Sequence, residues 1–365
     1  MTSSNPIVQT PPLSRKVKAG IVALYMLAAA IFMVIYITIS TLNGNPRAKY
    51  IDLVYQTAHK PYVYRIIVPL TIRGISKLVP DNMERNLNTY IASHNELKKP
   101  LKRLKWEPSA FHLYATGILV MYVFLAGFLV ALRMLFSSLF VSSKWFTSLV
   151  PILALFFLLP WVNVTYLYDF STLFFFSLGL TFLARANWTW FLILFGIGCL
   201  NKETTILLTV LFVVYYGFHQ RLERKQFWLL LAGQLAIFTA VKIILELVFR
   251  DNPGGLFELH VLDHNLPLLW KWFRTYSPTT YFLILLLSLI LVYDWIKQPI
   301  FLRDGLVILF MLVLMTFLMG WLNEWRDYLE AFPIVYLLFI HNIAKFMKID
   351  IQVKSIFQSV TKAKI

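Results

Sequence analysis

Cysteine, acidic residues and glycine-rich loops are scarce in this 365-residue chain. Its one cysteine, Cys199, lies inside an apolar run, so neither a disulfide framework nor a cysteine metal cluster can be built, and packing is the role left for the thiol. Charged residues make up 14% of the chain against 59% hydrophobic, a balance no soluble globular domain carries. There is no Gly-rich phosphate loop, heptad register, internal repeat or low-complexity tract, which removes P-loop, coiled-coil and repeat architectures.

Acid is outnumbered by base, 18 to 34, for a net charge of +16. In a soluble protein this would point to nucleic acid. Here the Lys and Arg residues cluster beside apolar runs, where they set orientation and touch anionic lipid headgroups, so nucleic acid is not expected.

What the chain has in plenty is apolar length. About 20 apolar residues span a bilayer, and shorter helices occur inside bundles. On that ruler ten helices are expected near 19–42, 109–132, 146–161, 170–184, 188–201, 204–218, 227–249, 280–297, 304–320 and 331–347. The fold class is an all-α polytopic bundle of about ten transmembrane helices, with nine and eleven as the alternatives. The first run follows Arg15, Lys16 and Lys18 and is too long for a cleaved signal peptide. One membrane domain, 19–347, is expected between a cytoplasmic tail at 1–18 and a basic cytoplasmic tail at 348–365.

With the N-terminus inside, Arg133, Lys144, Arg185, the run 219–225, the run 297–303 and the C-terminal tail fall on the cytoplasmic side, as the positive-inside rule asks. The first outer loop, 43–108, disagrees, because it carries Lys98, Lys99, Lys102, Arg103 and Lys105. A crossing by 63–79 would move that run inside, but Arg65, Arg73 and Lys77 are each costly at membrane depth, and an amphipathic helix on the outer surface is expected instead.

Ionisable residues gather at the outer face. Asp52, about ten residues beyond the first helix, can fold back over the bundle mouth as a general base, or be an ordinary solvated loop residue. Arg65, between Tyr62, Tyr64 and apolar residues, suits a fork-shaped contact to phosphate, or snorkels to the interface. Asp169 is a second catalytic carboxylate or a helix N-cap. Lys202 and Glu203 stand between two apolar stretches; Lys202 meets a lipid phosphate while Glu203 orients it or caps the next helix. Glu324 and Asp327 lie three apart with Arg326 beside them and Glu330 following, as a site or an aromatic belt with solvated charges. Glu258, His260, Asp263 and His264 fit no closed zinc pattern, and a divalent cation there is an alternative. The sequons at Asn163 and Asn187 are discounted as chance matches.

Over most of 19–347 this arrangement resembles the GT-C superfamily of integral membrane glycosyltransferases, which take sugars from polyprenyl-phosphate carriers. The likeness rests on Asp52, on the Tyr-Asp start at Asp169, on Lys202-Glu203 in a short helix pair, and on the late Glu324/Arg326 cluster. The run Pro61-Tyr-Val-Tyr-Arg-Ile-Ile-Val-Pro69 is similar to one in bacterial membrane proteins. The resemblance implies Asp52 as catalytic base with Asp169 as a second carboxylate. It also implies that Arg65, Lys202, Glu203, Glu324 and Arg326 are the group that binds substrate and carrier phosphate. The first outer loop lacks the Asp-Asp or Glu-x-Asp pair of many members, and no soluble C-terminal domain follows. The implied activity moves a sugar from a polyprenyl-phosphate donor to a lipid-linked or envelope glycan acceptor, at the outer face of a bacterial inner membrane. It requires no cofactor, with a divalent cation as the alternative. A polysaccharide polymerase or ligase, and a transporter or flippase for lipid-linked sugars, are the competing readings.

Overall fold

Apolar residues in lipid leave the backbone no water to bond with, so each long run must satisfy its own N–H and C=O groups, and helices are the outcome. The computed structural model describes residues 14–40, 42–161, 166–255 and 259–354. The chain ahead of residue 14, Asn163 and Thr165 of the first sequon, Glu258, and the tail beyond residue 354 lie outside the described residues.

Among the described residues the protein is all-α apart from one pair of short strands. Its helices are α1 (Arg15–Ile39), α2 (Tyr50–Tyr55), α3 (Ile67–Ser76), α4 (Asp81–Ser93), α5 (Asn95–Leu104), α6 (Phe111–Leu139), α7 (Lys144–Leu158), α8 (Asp169–Ala184), α9 (Trp188–Asn201), α10 (Leu207–Phe212), α11 (Arg224–Val248), α12 (Leu266–Thr275), α13 (Pro278–Val292), α14 (Ile300–Met319) and α15 (Phe332–Phe346). Strands β1 (Phe140–Ser142) and β2 (Ile351–Val353) pair antiparallel.

By length and composition α1, α6, α11 and α14 can each cross a membrane, and α12 with α13, bent by 108° at their junction, would make a fifth crossing as one broken unit. The apolar α3, α7, α8, α9, α15 and the stretch Glu203–Phe218 are shorter. The chain is therefore a membrane-embedded helical protein. Two details differ from the sequence expectation. The connection near 250–279, expected as an outer loop, is partly helical, because α12 occupies ten residues of it. The segment expected as one helix at 204–218 changes pitch twice: a 3-10 turn over Glu203–Ile206, then α10, then a π turn over Val213–Phe218. The long first connection contains α2 to α5, and α3, at ten residues, is too short to cross.

Helix α6 lies at the centre, against α1, α3, α7 and α8, while α9 bridges α8 and α11, and α14 packs between α10 and α15. Helix ends sort into two layers. At one end Arg185 Nε donates to Ser138 Oγ at 2.8 Å, His219 meets Asp304 at 2.9 Å, and Lys345 meets Asp294 at 2.7 Å. At the other end lie the starts of α6, α8 and α15 and the ends of α1, α9, α11 and α14. The first connection is pinned there: Asn252 Nδ2 donates to the carbonyls of Gln56 and Ala58 at 3.0 Å each, and Lys60 reaches Glu246 of α11 at 3.2 Å.

Candidate functional site

The site is built at this second end by four stretches of chain. The 3-10 turn at Tyr62–Tyr64 delivers Arg65, whose neighbour Ile66 N–H donates to the carbonyl of Leu200 at 3.0 Å and so fastens the first connection to the end of α9. The end of α9 delivers Lys202 and Glu203. The start of α8 delivers Tyr166, Tyr168 and Asp169. The 3-10 turn Trp325–Tyr328 delivers Arg326, with Glu324 before it and Glu330 after it.

Lys202 is the hinge of the arrangement. Its backbone is extended, φ −159° and ψ 138°, so consecutive side chains leave on opposite sides. Lys202 Nζ turns toward the lead-in of α15 and meets Glu330 Oε1 at 2.7 Å, with both side chains buried. Thr204 also donates its hydroxyl to Glu330 Oε1. Glu203 turns the other way and takes the Arg65 fork, from Nη2 at 2.9 Å and Nε at 3.5 Å. The charge and hydrogen bonds of Arg65 offset the cost of burying the Glu203 carboxylate. Glu203 thus neither orients its neighbour Lys202 nor caps α10.

Arg65 Nη1 also donates to the Tyr168 hydroxyl, and the guanidinium lies 4.3 Å from the Tyr168 ring centre. Tyr168 stacks on Tyr166 at 5.5 Å and Tyr166 on Tyr62 at 5.6 Å; Asn45 donates to the hydroxyls of Tyr62 at 3.1 Å and Tyr166 at 2.7 Å. Arg326 lies against the same tyrosine column, its guanidinium 3.7 Å from the Tyr166 ring centre.

Arg326 is 5% exposed and faces three carboxylates: Glu324 at 3.3 Å, Asp169 at 3.7 Å and Asp327 at 3.7 Å. Its Nε and Nη1 have no hydrogen-bond acceptor among the described residues. Asp169 is not an N-cap. It is the first residue of α8, and its Oδ2 accepts the N–H of Tyr166 at 2.8 Å. Glu324 and Asp327 are about a quarter exposed and form the outer lip. Burial raises the Glu324 carboxyl above its ordinary range, against the pull of Arg326 and with help from Asp327.

Arg65, Asp169, Lys202, Glu203, Glu324 and Arg326 are therefore brought together. Asp52 is not: it sits in the first turn of α2, half-buried, and its carboxylate has no hydrogen bond or ion pair among the described residues. Helix α2 is anchored by Tyr50, which donates to the Leu113 carbonyl at 2.6 Å and stacks on Tyr114 at 4.4 Å. Three participants escaped the sequence reading. Asn45, an uncharged loop residue, carries no signal. Glu330 was visible as an outer-face acid without a partner to give it meaning. Glu246, a lone carboxylate in the last turns of apolar α11 that accepts from Lys60 and Tyr64, was open to detection by its depth.

His260 Nδ1 meets Asp263 Oδ2 at 2.9 Å, while His264 faces elsewhere, stacked on Trp321 at 4.7 Å and bonded to Asn323 at 3.0 Å. Among the described residues no group of three or more His, Cys, Asp or Glu is placed to hold a metal ion.

Comparison with protein-family models, with curated proteins and with solved structures returned no match to this chain.

Proposed function

We propose that the chain is a membrane glycosyltransferase with ten crossings and both termini cytoplasmic. It would take a sugar from a polyprenyl-phosphate donor at the outer end of the bundle and pass it to a glycan acceptor. The observation that carries this reading is Arg326, a buried guanidinium with two N–H positions lacking acceptors, set beside two further cations of the same cluster. Guanidinium pairs with phosphate bidentately, and donors fixed in a water-poor site stabilise developing oxyanion charge most strongly.

The carrier phosphate enters past Glu324 and Asp327. Glu324, whose carboxyl takes a proton more readily than a free one, gives up Arg326 to the phosphate oxygens. Asp169 and Tyr166 keep the guanidinium in place, while Glu203 and Glu330 do the same for Arg65 and Lys202. In this reading the base is Asp52, which stands outside the ion-pair cluster with no hydrogen bond or ion pair to its carboxylate among the described residues, and which removes the proton from the acceptor hydroxyl. That oxygen bonds to the anomeric carbon as the bond from this carbon to the phosphate oxygen breaks, and polyprenyl phosphate leaves with its charge held by the cations. A transporter reading needs charges on both sides of a midplane site; here the buried pairs gather at one end, and the pairs at the other end are partly exposed.

The test is release of free polyprenyl phosphate by purified protein in lipid, from a panel of radiolabelled polyprenyl-phosphate sugars, comparing wild type with Asp52→Asn. Release that needs Asp52 supports the assignment. Full activity in Asp52→Asn removes that residue from the mechanism, and no release from any donor by folded protein overturns the reading.

A further inference from the structure

The cations of the ion-pair cluster are all engaged by carboxylates, whereas those of α5 are not. Lys98, Lys99, Lys102, Arg103 and Lys105 are exposed, and among the described residues none has a carboxylate within 4 Å; Lys98 has only Asn95 Oδ1 at 3.3 Å. On a helix Lys98 faces Lys102, and Lys99 faces Arg103, one turn away, so the exposed face repels itself and an anionic partner would relieve it. The rest of the helix is held firmly. Leu101, Leu104 and Trp106 are buried, Trp106 stacks on Tyr114 of α6 at 4.6 Å, and Asn43 donates to the Lys105 carbonyl at 2.7 Å. The apolar side chains of Leu101 and Leu104 are spent on the protein, and the exposed face offers charge.

We propose that this face of α5 is a docking surface for the anionic headgroups of phospholipids. Headgroups are favoured over a soluble polyanion by what surrounds the helix. Leu78, Met83 and Tyr90, next to it in the chain, are exposed apolar residues, with Met83 and Tyr90 two turns apart on one face of α4. Apolar residues beside a dense basic face are the signature of an element lying in the membrane interface. The placement also accounts for the one basic run that breaks the positive-inside pattern: these cations lie at the end of the bundle that holds the start of α6, where every other short connection is poor in Lys and Arg. The surface stands apart from the transferase reading and does not depend on it.

The test uses the full chain in neutral detergent, labelled with an environment-sensitive fluorophore at Ser93→Cys, because Ser93 is exposed beside α5 and the native Cys199 is buried. Short-chain phosphatidylglycerol, short-chain phosphatidylcholine and a sulfated polysaccharide are titrated separately. Phosphatidylglycerol should give a saturable response at least tenfold tighter than phosphatidylcholine. The response should weaken as salt rises from about 20 to about 200 mM, which shortens the screening length from about 20 to about 7 Å. Lys98→Gln/Lys99→Gln/Lys102→Gln/Arg103→Gln should abolish the preference. The charge-conserving Lys98→Arg/Lys99→Arg/Lys102→Arg and the opposite-end control Arg224→Gln/Lys225→Gln should keep it. Equal responses to the two lipids, a preference that survives neutralisation, or a response to the polysaccharide alone would each overturn the proposal.

Discussion

Removing either member of the Lys202–Glu330 pair should cost far more than removing both. At 2.7 Å, opposite unit charges attract by about 6 kcal/mol at an effective dielectric of about 20, and desolvation of the two buried ions offsets much of that gain. Glu330→Leu leaves the Lys202 ammonium buried without a counter-charge and takes the acceptor from the Thr204 hydroxyl, so a loss of about 3–5 kcal/mol is expected, about 1 of it from Thr204. Lys202→Met strands the carboxylate instead and should fall in the same range. The double variant has no stranded charge and should lie within about 1 kcal/mol of wild type, which makes the coupling roughly 5 kcal/mol or more. Unfolding in mixed micelles with a denaturing detergent, followed by tryptophan fluorescence, measures all four proteins. Single variants within about 1 kcal/mol of wild type, or a double variant as weak as the worse single, would refute the claim that these groups form a buried pair.

Gly117→Ala places a methyl group against the Tyr50 hydroxyl, which must leave the Leu113 carbonyl; a loss of about 1–3 kcal/mol is expected, and an unchanged melting temperature would show that α2 is not anchored there. Asn265→Ala removes three donations to the carbonyls of Thr316, Phe317 and Gly320 and one acceptor for Leu322 N–H, so roughly 3 kcal/mol should be lost in the same unfolding assay.

Hydropathy reveals helices that are apolar along their length, and it falters where the apolar pattern is broken. The segments at 170–184 and 188–201 match α8 and α9 within a residue, because polar residues bound them on both sides. Helix α12 reads as a loop because Trp270, Lys271, Trp272 and Arg274 interrupt it, and α13 is lengthened at its far end because Tyr293 to Lys297 look helical one by one. In the site, the cost of charge at membrane depth makes Lys202, Glu203 and Arg326 stand out, but it does not say which carboxylate each will find. Arg65 and Glu203 are 138 positions apart and Lys202 and Glu330 are on different elements, so their pairing exists only once α9, α8 and the α15 lead-in share one end.

The extended residue at Lys202 makes the neighbouring positions 202 and 203 directional. Exchanging the two residues would leave composition, net charge and hydropathy untouched, yet it would set a carboxylate against Glu330 and an ammonium against Arg65, turning two attractions into two repulsions. Sequences sharing this site should therefore conserve an ordered lysine-then-glutamate step with an acid and an arginine far away to match, and a chain with the reversed order should show both distant partners reversed as well.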